Sequence, residues 1–240
     1  MLDERLSVIA ELVPPSDIAA DIGTDHALLP CELISQNKCR AVIATDIMPG
    51  PVLRARKQVK KAGYQKRIAV VTGDGMKPAL KYRPSVYIIA GMGGELIASI
   101  IEDCREKIPE GTKFVLQPMT RASKLRIYLA ENGFKITDER ITAKKDGRLF
   151  EIIAAEYDGV KREIRPVEAL IGEKNVERGG ELENALIRRE LYRMLKVKNG
   201  KEKAGEKISE NEIKIIEKLG RLAAGNTDKT DKTRETETKE

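Results

Sequence analysis

Short apolar runs bounded by glycine or aspartate recur at 17–22, 41–47, 68–72, 86–90 and 113–116, and a stretch with helical spacing follows each of them. This alternation of strand and helix constrains the fold more than any other feature of the chain. Parallel strands with crossover helices on both sheet faces are buried on both sides, so they read as near-continuous apolar runs. A doubly wound open α/β sheet is the expected architecture. The rhythm changes after Asn132-Gly133, where 134–143 and 149–157 are strand-like runs joined by Lys144-Lys145-Asp146-Gly147. Asp-Gly is a strong hairpin turn signal, so an antiparallel hairpin should finish the sheet. Ahead of it all, residues 1–12 form a short amphipathic helix with Leu2, Leu6 and Ile9 on one face, closed by Pro14-Pro15.

Composition shifts at about residue 160, where β-branched alternation gives way to Glu, Lys, Arg and Leu. The expected organisation is therefore a ligand-binding domain over 1–159, a helical, coiled-coil-like extension over 160–224 and a disordered tail over 225–240. In the extension, Leu182, Leu186, Ile187, Leu191, Met194 and Leu195 make one apolar stripe, and Ile215, Ile216, Leu219, Leu222 and Ala223 make another. Two helices should pair there, joined by a loop over 199–207. Ser209 and Glu212 have the spacing of a capping box for the second helix, with Ile208 and Ile213 placed as its hydrophobic staple. The tail lacks aliphatic and aromatic side chains and has nothing to bury against its ordering entropy.

The charge balance narrows the functional classes. Lys+Arg 44 against Asp+Glu 38 gives a net +6 and a pI near 9.1, which admits a polyanion such as nucleic acid as partner. The chain has no apolar run long enough for a membrane span and no signal-peptide pattern, so a soluble cytoplasmic protein is expected. Cys31, Cys39 and Cys104 form no C-x-x-C pair, and His26 is the only imidazole. No metal site and no two-histidine proton relay is expected from that inventory. Nothing in the sequence specifies an oligomer, and a monomer is the working expectation.

Ligands of doubly wound sheets sit at the carboxyl ends of the strands, near the point where strand order reverses. The unusual residues fall there: Asp21-Ile22-Gly23-Thr24-Asp25-His26 after the first strand, Thr45-Asp46 after the second and Gly73-Asp74-Gly75 after the third. Ala90-Gly91-Met92-Gly93-Gly94-Glu95 follows the fourth strand and Gln117-Pro118-Met119 the fifth. The first loop has Gly23 alone where a dinucleotide fingerprint needs three glycines, and Asp21 and Asp25 would repel phosphate. A ligand with a ribose and a positive group but no phosphate suits it better, and S-adenosyl-L-methionine is such a ligand. In that reading Asp21 helps hold the amino group, backbone near Gly23 and Asp25 the carboxylate, Asp46 the ribose hydroxyls and Asp74 the adenine. Thr24, His26, Gly73, Gly75, Ala90 and Gly91 complete the candidate cofactor-binding set.

Taken together, Asp-Ile-Gly-Thr-Asp-His-Ala at 21–27, Leu29-Pro30, Thr45-Asp46, Gly73-Asp74-Gly75, Ala90-Gly91-Met92-Gly93-Gly94 and Gln117-Pro118 resemble the TrmK family of bacterial class I methyltransferases. The resemblance runs from residue 1 to about 225. It implies a Rossmann-like class I methyltransferase sheet, S-adenosyl-L-methionine as cofactor, and methyl transfer to N1 of the adenine at position 22 of tRNA. Asp46 stands where many members carry glutamate, and Met119 where asparagine is usual. Gly91, Met92, Gly93 and Gly94 are the candidate substrate-positioning loop.

N1 of neutral adenine already has a lone pair, so attack on a sulfonium methyl needs no general base and positioning should dominate. N1 lies on the pairing edge, so the base must be unpaired or flipped out. Arg188, Arg189, Arg193, Lys196 and Lys198 are the candidate phosphate contacts on the extension, and Arg54, Arg56, Lys57, Lys60 and Lys61 crowd a second helix. With aromatics at 4% and no Trp, recognition is expected to read tRNA shape rather than stack extensively on bases. Three other readings stay open on the residues: a non-catalytic RNA-binding module, a methyltransferase for another acceptor, and a nicotinamide-dependent oxidoreductase.

Overall fold

The parallel strands β1 (Ser16–Ile22), β2 (Cys39–Asp46), β3 (Ile68–Thr72), β4 (Val86–Gly93) and β5 (Lys113–Thr120) join the antiparallel pair β6 (Phe134–Ala143) and β7 (Leu149–Tyr157) in one seven-stranded sheet. The computed structural model describes residues 2–225, and the sheet order is β3-β2-β1-β4-β5-β7-β6. The doubly wound sheet and its terminal hairpin are thus as the sequence leads one to expect. Strand order reverses between β1 and β4, and that gap is where the loops of interest converge.

Period-two alternation sends successive strand residues to opposite faces, which separates two cores. Ala19, Val42, Ile88 and Val115 pack with Ile9 and Val13 from the segment of α1 (Glu4–Leu12), Leu33 and Ile34 of α2 (Leu28–Ser35), and Val59 of α3 (Pro49–Ala62). Ala20, Ile43, Ile89 and Leu116 pack with Ile97 and Ile101 of α4 (Gly94–Glu102) and Leu125 and Leu129 of α5 (Ala122–Glu131). Each fully buried aliphatic side chain contributes about 1.5–3 kcal/mol, so both faces of the sheet are held firmly.

Two strands run further than their apolar stretches predict. β4 continues past Ala90 to Gly93 and β5 past Leu116 to Thr120, pairing Ala90 with Gln117, Met92 with Pro118 and Gly93 with Thr120 across register shifts. The expected loop at 91–94 is therefore the bulged end of β4 followed directly by α4. Gly91, with φ +83°, makes the bulge, and Pro118, which has no N–H to donate, is tolerated in the irregular ladder beside it.

The chain divides into two compact units, the second beginning at Ile164. In this unit, α6 (Pro166–Ile171) and α7 (Glu173–Arg178) precede α8 (Glu181–Lys203) and α9 (Glu210–Gly225), and α8 packs on α9. α8 continues through Gly200 to Lys203, so the connection is shorter than the 199–207 loop read from its glycines. One interior glycine costs a helix only about 1 kcal/mol, and a 2.6 Å bond from Lys201 Nζ to Glu212 Oε1 joins the two helices beyond it. The capping box forms: Ser209 Oγ accepts from the Glu212 amide at 3.2 Å, and Glu212 Oε2 accepts from the Ser209 amide at 2.9 Å. Lys201 and then Ser209 hold the Glu212 carboxyl down at about 2. Gly225 closes α9, while the rest of the 225–240 tail lies outside the described residues. Among the described residues no helix is long and apolar enough to cross a membrane.

Candidate cofactor and substrate site

Two adjoining cavities open at the carboxyl ends of β1 to β4, and Gly23 lines both. The first, about 240 Å³, is walled by Asp21 at the end of β1, by Thr24 and Asp25 after it, by Ala90 and Gly91 of β4 and by Arg5 of α1. The second, about 260 Å³, is lined by the carboxylates of Asp46 and Asp74, by Gly73 and Gly75, and by the apolar side chains of Ile47, Met92, Leu96 and Ile100. Together they fall in the range of small-molecule sites, roughly 300–1,000 Å³.

The turn after β1 is held tightly. The amides of Gly23 and Thr24 both donate to Thr45 O at 2.8 Å, and His26 and Ala27 follow in the left-handed region with φ +63° and +49°. For residues with a Cβ that conformation costs about 1–2 kcal/mol each, the kind of strain concentrated at functional loops. Gly23 also has φ +77°, and a Cβ there would lie 2.1 Å from Met92 Cε. Met92 therefore lies across Gly23 and walls the second cavity rather than standing clear as part of an open loop.

The charges of the first cavity are unlike in kind. Asp21 is buried; desolvation pushes its carboxyl up to about 6, the neighbouring Thr24 hydroxyl opposes this in part, and the charge of Asp46 adds to it. Thr24 Oγ1 is itself buried and, although close enough to Asp21 to lower its carboxyl, makes no hydrogen bond of ordinary geometry, which leaves the hydroxyl beside the cavity unsatisfied. Asp25 accepts from Arg54 Nε and NH2 at 3.2 and 2.9 Å, so its charge is largely compensated. His26 is exposed, 3.5 Å from Asp25, and does not line either cavity.

Arg5, which the sequence reading passed over, is the one cation lining either cavity. Its guanidinium donates to Gln117 Oε1 at 2.7 Å, and the fully buried Gln117 donates in turn to Pro118 O at 2.9 Å. The available signal was Gln117 itself, an amide ending the apolar run 113–116 that needed a partner once buried.

In the second cavity, Asp46 Oδ1 accepts from the Met48 amide at 2.8 Å, and Asp74 is 3.2 Å from Lys77 Nζ. A Cβ on Gly73 would lie 2.3 Å from Pro78, so that glycine also serves local packing. The glycines after β4 divide into two kinds. Nothing lies within 4 Å of where a Gly91 Cβ would project, whereas a Gly94 Cβ would lie 2.4 Å from Arg121 O. Gly91 borders open space; Gly94 lets α4 start against the β5–α5 turn.

A buried carboxylate, an orphaned hydroxyl and a guanidinium suit the ammonium and carboxylate of an amino acid. Carboxylates and apolar side chains lining one cavity suit a nucleoside, the first for its hydroxyls and the second for its base. The contiguous pair thus fits an amino acid joined to a nucleoside. Among the described residues, no cluster of three or more His, Cys, Asp or Glu could hold a metal ion.

Of the candidate phosphate contacts, the basic run at 54–61 lies on α3 in the first unit and those of the extension lie in the second, and none of them lines either cavity. Arg189 and Arg193 pair with the buried Glu190 at 2.9 and 3.2 Å, and Lys198 sits 3.9 Å from Glu202. Arg188 and Lys196 are exposed and make no ion pair among the described residues.

Comparison with known proteins agrees with this chemistry. The family model described as a methyltransferase domain matches residues 2–153. The chain is 37% identical over 166 residues to the tRNA (adenine(22)-N(1))-methyltransferase of Bacillus subtilis (strain 168), covering 66% of this chain and 69% of the relative. The crystal structure of the B. subtilis m1A22 tRNA methyltransferase TrmK superposes with a TM-score of 0.78 at 29% identity, covering 95% of this chain and 98% of that one. Streptococcus pneumoniae Sp1610 in complex with S-adenosyl-L-methionine superposes with a TM-score of 0.80 at 27% identity, covering 93% of this chain and all of that one. With the methyltransferase domain matched from α1 to β7 and the likeness extending through the helical unit, the chain belongs to the TrmK family of methyltransferases.

Proposed function

We infer that this chain transfers a methyl group from S-adenosyl-L-methionine to N1 of the adenine at position 22 of tRNA, acting in the cytoplasm. The observation that carries the reading is the contiguous pair of cavities, one fitted to an amino acid and one to a nucleoside, in a chain whose relatives are tRNA (adenine(22)-N(1))-methyltransferases.

The cofactor supplies a methyl group made electrophilic by a positively charged sulfur. Arg5 would pair with its carboxylate, a role the sequence suggests for backbone near Gly23 and Asp25 but for which the Gly23 amide is already engaged by Thr45 O, while ionised Asp21 and the Thr24 hydroxyl would take its ammonium. Asp46 would accept from its ribose hydroxyls and Asp74 from its adenine amine, and the apolar side chains of Ile47, Leu96 and Ile100 that line the same cavity would suit the base. Gly91 leaves room for the edge of the acceptor adenine, where a side chain would intrude. The acceptor nitrogen has its own lone pair, so the protein's task is alignment and exclusion of water rather than proton removal. The ring becomes cationic as the bond forms, and the carbonyl-rich ends of β4 and β5 favour that charge.

The test is methyl transfer from labelled S-adenosyl-L-methionine to unmodified tRNA, followed by nucleoside analysis. N1-methyladenosine at position 22 is the expected product. Label in another nucleoside, or none with both ligands bound, would overturn the assignment.

A further inference from the structure

The nine aromatic residues are sparse and, with one exception, packed away. Tyr192, on α8, is 68% exposed and is the only exposed aromatic among the described residues. Helical periodicity places Arg188 one turn before it and Lys196 one turn after it on the same face, each about 6 Å along the axis. Both cations are exposed and lack an ion pair among the described residues, whereas Arg189, Arg193 and Lys198 are partly compensated by Glu190 and Glu202. Between Arg188 and Asn199 no acidic residue falls on this stripe, which also carries Leu195; Glu181 and Glu202 lie beyond its two ends on the same helix.

A lone solvated ring between two unpaired cations has little to contribute to folding: it is not buried, and its neighbours gain nothing from being adjacent to one another. It does match an unpaired nucleotide, which offers a flat π-face for stacking and a phosphate on either side. We propose that Tyr192 stacks on an unpaired nucleotide of the RNA substrate while Arg188 and Lys196 hold the flanking phosphates. The inference rests on the tRNA reading above and deepens it, adding a single stacking contact to recognition otherwise expected to follow shape and charge.

The contributions are separable, because stacking releases no counterions and phosphate contacts do. Tyr192→Ala should weaken tRNA binding roughly tenfold or more, with the salt dependence unchanged and S-adenosyl-L-methionine affinity as in the parent. Tyr192→Phe should bind nearly as the parent does. Arg188→Gln and Lys196→Gln should each lower the salt slope by about one. Because the chain has no Trp, Tyr192→Trp introduces a single indole whose emission should be quenched as tRNA is added.

Parent-like tRNA affinity for Tyr192→Ala overturns the proposal, as does a Tyr192→Phe variant as weak as Tyr192→Ala, which would make the hydroxyl the contact. A change of oligomeric state in Tyr192→Ala with unchanged tRNA affinity would assign the face to a second copy of the chain. Failure of the parent protein itself to bind tRNA would remove the tRNA reading together with this one.

Discussion

Asp21→Asn separates what the buried carboxylate costs the fold from what it does for a ligand. In the folded protein the Asp21 carboxyl is raised from 3.8 to about 6, chiefly by burial. Each unit corresponds to about 1.4 kcal/mol, so ionised Asp21 makes the ligand-free protein less stable at neutral pH by about 3 kcal/mol. The sign follows from the order of the two values. Below 3.8 the group is neutral both folded and unfolded and there is no penalty; the unfolded chain ionises first as pH rises, and the penalty is complete once the folded group has ionised above about 6. An amide retains some desolvation cost, so Asn recovers at most about 3 kcal/mol, or roughly 6–12 °C in a protein of this size. Thermal unfolding of both proteins without ligand, from pH 4 to 8, is the assay. The variant's advantage should be small at pH 4, grow through pH 6 and level off by about pH 7. Saturating S-adenosyl-L-methionine should cut the variant's advantage by about 1.4–2.7 kcal/mol, because losing a charge-assisted bond to its ammonium weakens affinity about 10- to 100-fold. A variant less stable than the parent at pH 7.5, or an advantage independent of pH, would refute the argument.

Arg5→Gln should weaken binding of S-adenosyl-L-methionine at least tenfold and leave 5′-methylthioadenosine, which lacks the amino acid, bound as before; titration of both ligands distinguishes a carboxylate contact from a folding defect. Asp46→Ala should weaken both ligands alike, since both carry the ribose, and equal affinities for parent and variant would exclude a ribose contact. Gly94→Ala meets backbone oxygen at 2.4 Å and should lower stability by about 1–3 kcal/mol or more. Gly91→Ala adds only the strain of φ +83°, about 1–2 kcal/mol, and should act mainly on the rate of methyl transfer. Melting curves and initial rates on both variants would show whether the two effects divide in this way.

Which of these positions could be read from the sequence depends on the range of the force that fixes them. The sheet core and the hairpin were legible because their signals are local: apolar runs for strands buried on both faces, and Asp146-Gly147 for the turn. Loop residues at strand ends were legible for the same reason, since doubly wound topology brings the end of each strand to one rim. The bulge at Gly91 was not, because the continued pairing of Met92 and Gly93 depends on Pro118 and Thr120 of the neighbouring strand. α6 and α7, six residues each, are too short to show a helical period.

Arg5 and Arg126 show the limit most clearly, since nothing local in the sequence separates either from an ordinary solvated arginine on a helix. Arg126 is instead fully buried, donating to Glu139 at 2.7 Å and to Glu151 at 2.8 Å across the terminal hairpin. Removing any one partner there would strand a buried charge at a cost of several kcal/mol, which makes the cluster a determinant of how α5 seats on β6 and β7. Arg5 is half-buried, and its bond to Gln117 fixes one edge of the guanidinium while the same residue lines the first cavity. Because Gln117 in turn donates to Pro118 O at the bulged end of β5, one hydrogen-bonded chain runs from the cavity wall to the strand ends where the acceptor base is proposed to lie. Loss of Arg5 should therefore disturb alignment as well as affinity, and saturating cofactor would not restore the full rate of transfer in Arg5→Gln if that connection positions the strand ends.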